Sequence, residues 1–191
     1  AMTQYFINET KSPFSAFYLH DRDLLLTALQ AARNDGRQTV LLGVSFALLE
    51  LAENQELDLG GCIVMETGGM KGRREELTRE ELHQVLCKRF KIEAVHSEYG
   101  MTELFSQAYS KGGGYFQTFP GMKVFVRDLN DPFELLENGK TGALNVIDLS
   151  NIHSCAFVET QDLGRVLQDG SFEVLGRVDN SDVRGCNLLV G

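Results

Sequence analysis

Apolar residues recur every three or four positions from Leu24 to Ala32 (Leu24, Leu25, Ala28, Leu29, Ala32), the spacing of a helix with one buried face. Asp21 is its expected N-cap and Asn34-Asp35-Gly36 its stop. The pattern then changes to a continuous apolar run, Thr39 to Gly43, which predicts a short buried strand. A helix through Phe46, Leu48, Leu49 and Leu51 follows, with Ser45 as its expected cap, and Cys62 to Met65 predicts a second strand. Thr78-Arg79-Glu80-Glu81 has the form of a capping box, opening a helix with Leu82, Val85, Leu86 and Phe90 on one face. Glu93 to His96 predicts a third strand. Strands alternating with helices imply parallel pairing, because each crossover returns the chain to the same end of the sheet.

Past Gly112-Gly113-Gly114 the periodicity shortens. Lys123 to Arg127, Gly142 to Ile147 and Ser171 to Leu175 alternate or are rich in β-formers, and Asn138-Gly139 and Asp169-Gly170 supply turns. The expected fold class is therefore α/β, with a parallel α/β subdomain over residues 1–111 followed by a small antiparallel β subdomain over 112–191. There is no internal repeat and no low-complexity segment.

A chain of 191 residues that is 43% hydrophobic buries a substantial core. Its net charge of −9 argues against nonspecific binding to nucleic acid or to an anionic membrane, either of which needs a concentrated basic face. The densest basic run, Lys71-Gly72-Arg73-Arg74, is followed at once by Glu75 and Glu76 and reads as a solvated loop. Cys62, Cys87, Cys155 and Cys186 lie far apart with no zinc-type spacing, so reduced thiols and a cytoplasmic location are the expectation. No apolar run reaches the roughly 20 residues of a membrane-spanning helix.

Three short motifs hold the candidate chemistry: Tyr99-Gly100-Met101-Thr102-Glu103, Thr160-Gln161-Asp162-Leu163-Gly164, and Gly176-Arg177-Val178-Asp179. Thr102 and Glu103 fall after a predicted strand, at an expected helix start where free backbone amides favour phosphate. A hydroxyl there donates to a phosphate oxygen and a carboxylate holds Mg²⁺; the plainer reading is a helix start with Thr102 as its cap. Asp162 either shapes a turn or accepts from ribose hydroxyls. Arg177 either donates to the sugar or a phosphate, or is a surface arginine paired with Asp179. Gly176 and Gly185 read as turn glycines and His96 as a core histidine. Cys186, in Arg184-Gly185-Cys186-Asn187, is either a nucleophilic thiolate favoured by the adjacent arginine or a buried small hydrophobe. Cys62 and Cys87 read as core.

In this order and spacing the three motifs resemble the YGxTE, TGD and GRxD signatures of the adenylate-forming superfamily of acyl-CoA synthetases, luciferases and peptide-synthetase adenylation domains. Gly68-Gly69-Met70 looks like that superfamily's glycine-containing adenine wall. His96 to Gln107 and Arg184-Gly185-Cys186 look closest to the acyl-protein synthetase family of bacterial bioluminescence, with the phenylacetate-CoA ligases as relatives. The resemblance implies ATP- and Mg²⁺-dependent activation of a carboxylic acid, a fatty acid in that family, to an acyl-adenylate and transfer to a thiol. The acceptor it implies is Cys186; coenzyme A, in a phenylacetate-type ligase, and a noncatalytic scaffold of the same fold are the alternatives. An acyl-reductase or acyltransferase is an implied partner. Carried over by resemblance, Gly68, Gly69 and Met70 form the adenine wall, Tyr99 and Gly100 belong to the nucleotide site, Thr102 contacts the α-phosphate, Glu103 the Mg²⁺, Asp162 and Arg177 the ribose, and Asp179 marks a hinge.

Three departures qualify it. No Ser/Thr/Gly-rich phosphate loop precedes Tyr99, Gln161 stands where the signature has glycine, and the superfamily's C-terminal domain with its lysine is missing. The expectation is a C-terminal portion of a longer enzyme, binding nucleotide weakly and turning over little by itself.

Overall fold

The computed structural model describes residues 2–19, 21–68 and 77–178. Its contacts divide the chain into two compact units, one of Ala1–Leu41 with Gly61–Ile63 and one of Leu42–Gly60 with Val64–Gly191. The first holds α1 (Met2–Thr10) and α2 (Arg22–Asn34). Asp21 caps α2 as expected, its carboxylate accepting from the Leu24 amide at 2.9 Å. The Ile63 amide donates to Thr39 O at 2.9 Å, fixing the start of one strand beside the approach to another.

The second unit carries the site. β1 (Val40–Val44) and β2 (Ile63–Thr67) begin in the first unit and run into the second, whose other elements are α3 (Ser45–Asn54), α4 (Arg79–Phe90), β3 (His96–Tyr99), β4 (Ala108–Ser110), β5 (Tyr115–Thr118), β6 (Met122–Arg127), β7 (Thr141–Asp148), β8 (Phe157–Val166) and β9 (Phe172–Arg177). The strands form one mixed sheet in the order β1-β2-β3-β4-β5-β9-β8-β7-β6. β2 and β3 are parallel, and every pairing from β3 onward is antiparallel. The expected α/β class, with antiparallel strands in the second half, is what the chain adopts.

The capping box at Thr78 forms in full: Glu81 N donates to the Thr78 hydroxyl and Thr78 N to the Glu81 carboxylate. α4 buries Leu82, Leu86 and Phe90, and Arg89 ties it to the end of α3 by donating to Ala52 O at 2.7 Å and Glu53 O at 2.9 Å. Ser45 departs from expectation. It opens α3 without capping it, because its hydroxyl is turned toward Glu66 and Gly68. The third strand also lies further along than the predicted Glu93 to His96, since Ser97 and Tyr99 are the residues facing inward. Cys62 and Cys87, expected in the core, are only partly buried, and Cys155 is exposed.

The core of the β-rich half centres on Tyr99, Phe116 and Phe172, whose ring centroids lie 5.2 to 5.9 Å apart, surrounded by Met122, Val124, Leu144, Val146 and Val166. At the β6 edge, the segment through Glu134 and Leu136 returns alongside: Asp128 N donates to Glu134 O at 2.9 Å and Leu136 N to Val126 O at 2.8 Å, bracketing a bridge between Arg127 and Leu135. Among the described residues no helix is long and apolar enough to cross a membrane.

Phe172 is fully buried and touches both other rings. Phe172→Ala is expected to cost about 3–5 kcal/mol, read as a lowered midpoint in urea unfolding; a loss under about 1 kcal/mol would mean that the ring cluster does not organise this core.

Candidate functional site

Because β2 and β3 run parallel with Thr67 opposite Glu98, the chain leaves the sheet at Gly68 and at Gly100 side by side, beyond the strands' carboxyl ends. That edge is where open α/β sheets take ligands. Gly68 turns with φ +76°, a conformation that disfavours any side chain, and its carbonyl accepts from Ser45. Gly69 and Met70 lie outside the described residues, as do Asp179, Gly185 and Cys186.

Tyr99 joins two of the motifs. Its ring is held by Phe116 and Phe172, and its hydroxyl donates to Asp162 Oδ2 at 2.8 Å in a buried hydrogen bond. Burial, then the Asp162 charge and the bond to it, push the phenol far above its ordinary value, so it stays a donor at any working pH. Asp162 is 3% exposed and lies within β8 rather than in a turn. Its own amide donates to the Thr160 hydroxyl at 3.1 Å, Thr160 Oγ1 donates to Leu144 O at 2.7 Å, and the buried Arg127 donates to Thr160 O.

The third motif reaches the same place through a register shift. Asp162 pairs with Arg177 and Leu163 with Gly176, but Gly164 pairs with Val174, so Leu175 is the extra residue. Glycine at 164 permits this, because a Cβ there would stand 2.3 Å from Glu173 O. Gly176 is accordingly a strand residue with φ +153°, not a turn glycine. Arg177 donates to the Gln161 carboxamide, so the residue that replaces the signature glycine becomes a side-chain partner within the site.

Thr102 and Glu103 lie in an exposed turn, not at a helix start. The reason is Asp148. This buried carboxylate accepts from the amides of Phe105 at 2.9 Å, Ser106 at 2.8 Å and Ser150 at 3.0 Å and from the Ser106 hydroxyl at 2.7 Å. Amides that a helix start would offer to phosphate are thus already taken, and the chain continues into antiparallel β4. Asn151 completes the anchor by donating to Glu103 O at 2.8 Å. Burial raises the Asp148 carboxyl, but these hydrogen bonds outweigh it and hold it below its ordinary value.

A second polar group, unread in the sequence, sits behind Gly68. Glu66 is 4% exposed; Ser45 Oγ lies 2.9 Å from Glu66 Oε2 and 2.5 Å from Gly68 O. Arg79 Nε and His83 Nε2 each stand 3.7 Å from Glu66 Oε1, and His83 Nε2 lies 3.4 Å from the Ser97 hydroxyl. Burial pushes the Glu66 carboxyl up, yet His83, the Arg79 charge, Ser97 and Ser45 together keep it below the usual carboxylate range. The available signal was alternation: Val64 faces inward, so Glu66 must as well, just as Asp148 follows Val146.

No family profile matches the chain. It is 26% identical over 190 residues to a long-chain-fatty-acid--luciferin-component ligase of Vibrio harveyi, an alignment that takes in 88% of this chain and 48% of that protein. The chain thus spans about half the length of this curated relative. Among solved structures it is similar to ATP-bound MatB from Rhodopseudomonas palustris (TM-score 0.60, 20% identity, 85% of this chain and 34% of that one). It is likewise similar to the O-succinylbenzoate coenzyme A synthetase MenE from Bacillus subtilis in complex with AMP (TM-score 0.53, 20% identity, 80% and 34%). A luciferase-like enzyme from the mealworm Zophobas morio gives a TM-score of 0.56 at 17% identity, over 84% of this chain and 41% of that one.

Asp148 ties the motif turn to the sheet, and its stabilisation is present above about pH 4, the ordinary carboxyl value, and lost as pH falls through its depressed native value. Asp148→Asn is therefore expected to lose about 2–3 kcal/mol at pH 7 in urea unfolding. The gap to the unaltered protein should narrow below about pH 4. A gap independent of pH would mean that the carboxylate charge plays no part in holding the turn.

Proposed function

We propose that the chain belongs with the adenylate-forming ligases, which its likeness in sequence and fold supports, and that it forms the adenosine-binding part of an ATP-dependent enzyme that activates a carboxylic acid. The observation that carries this reading is the convergence of three separate motifs: the Tyr99 hydroxyl on the Asp162 carboxylate, with Arg177 opposite Asp162 in the neighbouring strand.

The donor set fits an adenosine phosphate. A carboxylate accepts at about four positions, so Asp162 is the type of group that takes ribose hydroxyls as well as the Tyr99 hydroxyl. Arg177 brings a guanidinium that stays charged at any working pH to the same sugar or its phosphate. Gly68 and Gly100 would border the adenine; Gly69 and Met70, assigned to the same wall by resemblance, lie outside the described residues. Thr102 and Glu103 lie in an exposed turn, where the hydroxyl would donate to the α-phosphate and the carboxylate would hold Mg²⁺, a cation that keeps several waters and shares oxygen ligands with phosphates. Bound ATP with Mg²⁺ supplies the electrophilic α-phosphorus and the pyrophosphate leaving group. What these residues contribute is orientation and preplaced charge, fixed before reaction by the Asp148 anchor and the aromatic cluster.

The curated relative's name points to a long-chain fatty acid as the substrate. We infer transfer of the activated acyl group to the Cys186 thiolate; coenzyme A as acceptor is the competing reading.

In calorimetry with AMP, Asp162→Ala is expected to weaken binding about tenfold or more, the loss of one or more hydrogen bonds to a charged group. Unchanged affinity would remove Asp162 from the site. With the whole protein, ATP and a long-chain fatty acid, mass spectrometry is expected to find an acyl thioester on Cys186 that Cys186→Ser abolishes. An acylated coenzyme A with an unmodified Cys186 would assign the acceptor to coenzyme A.

A further inference from the structure

Glu66, Ser45, Arg79 and His83 form a buried polar group that the adenosine reading does not use, although every member lies against the ligand edge of the sheet. Two connections lead from it to the proposed site. The Ser45 hydroxyl, a single proton between two acceptors, links the Glu66 carboxylate to Gly68 O, the point where β2 gives way to the adenine-side loop. Arg79 lies over the Phe116 ring at 5.2 Å and donates to Val174 O; burial lowers its pKa, with the charges of Glu66 and Asp162 acting against that. Its Nε is buried with no hydrogen-bond partner among the described residues. The guanidinium is thus held among the Glu66 carboxylate, 3.7 Å from its Nε, the Phe116 ring and the Val174 carbonyl.

A buried carboxylate surrounded in this way is poor evidence for stability as such, since an ionic group of this kind is often replaceable by apolar residues of like volume. It is well suited to fixing geometry. Its hydrogen-bonding directions set where the Gly68 carbonyl sits, and its charge sets where Arg79 sits against the Phe116 ring.

We propose that Glu66 is a positioning residue for nucleotide binding, acting through Ser45 on the Gly68 turn and through Arg79 on the Phe116 ring, which packs against Tyr99, the donor to Asp162. This rests on the adenosine reading above. Glu66 touches no substrate. It holds the adenine-side turn and the ribose-side carboxylate in one fixed relation.

The test compares Glu66→Gln, Ser45→Ala and Leu86→Ala in the whole protein, measuring AMP binding by calorimetry and thermal unfolding for each. Leu86 is fully buried in α4 and belongs to neither the site nor the polar group, so its truncation lowers the unfolding temperature without altering affinity. Glu66→Gln is expected to weaken AMP binding by about tenfold to a hundredfold, the scale of a small misplacement of binding groups, whatever its effect on unfolding. Ser45→Ala should weaken it in the same direction and by less. The proposal is overturned if Glu66→Gln binds AMP as the unaltered protein does, or weakens binding no more than Leu86→Ala. Absence of AMP binding by the unaltered protein would instead overturn the adenosine reading, and the proposal with it.

Discussion

A buried hydroxyl-to-carboxylate bond, Tyr99 to Asp162, is the constraint around which the second unit is arranged. Taking a carboxylate out of water is costly unless its lone pairs are met, so the fold must bring a donor to it and keep that donor in place. Tyr99 meets the first need because β3 points it inward, and the second because Phe116 and Phe172 fix its ring. The strand carrying Asp162 is in turn secured through Thr160, whose hydroxyl donates to Leu144 O in β7 and whose carbonyl accepts a hydrogen bond from Arg127. Strands β3, β7 and β8 and the aromatic core therefore all bear on one short contact.

The same physical problem is solved three times. Glu66, Asp148 and Asp162 each occupy an inward position of a strand whose alternation is otherwise apolar or small. Each is compensated differently: Glu66 by hydroxyls, a guanidinium and an imidazole, Asp148 by backbone amides and a serine, Asp162 with a phenol among its partners. The partners decide what each carboxylate does. Amides lock a turn, whereas a phenol in a rigid cluster leaves a carboxylate oriented at the ligand edge of the sheet.

Much of this was readable from the residues. α2 with its Asp21 cap and the Thr78 capping box formed as the local pattern required, because capping depends on a few neighbouring atoms and little else. The three motifs could be recognised, and Gly68 and Gly100 could be placed at the carboxyl end of parallel strands. What local pattern could not supply was competition from distant residues. Ser45 is a good cap by type, but Glu66, 21 residues away, takes its hydroxyl. Thr102 and Glu103 resemble a helix start, but Asp148, more than 40 residues away, takes the amides just beyond them. β8 was missed for a related reason: Thr160 to Gly164 has the composition of a turn, and only pairing on both sides makes it a strand.

The segment that lies along the outer edge of β6 has a practical consequence. By taking up Val126 O and offering Glu134 O to Asp128 N, it saturates backbone groups that a final strand would otherwise present to a passing peptide. Fluorophores or affinity handles inserted at the Asn138-Gly139 bend would leave that seal intact. The same insertion between Glu134 and Leu136 would expose a template for intermolecular strand addition, turning a labelling experiment into an oligomerisation artefact.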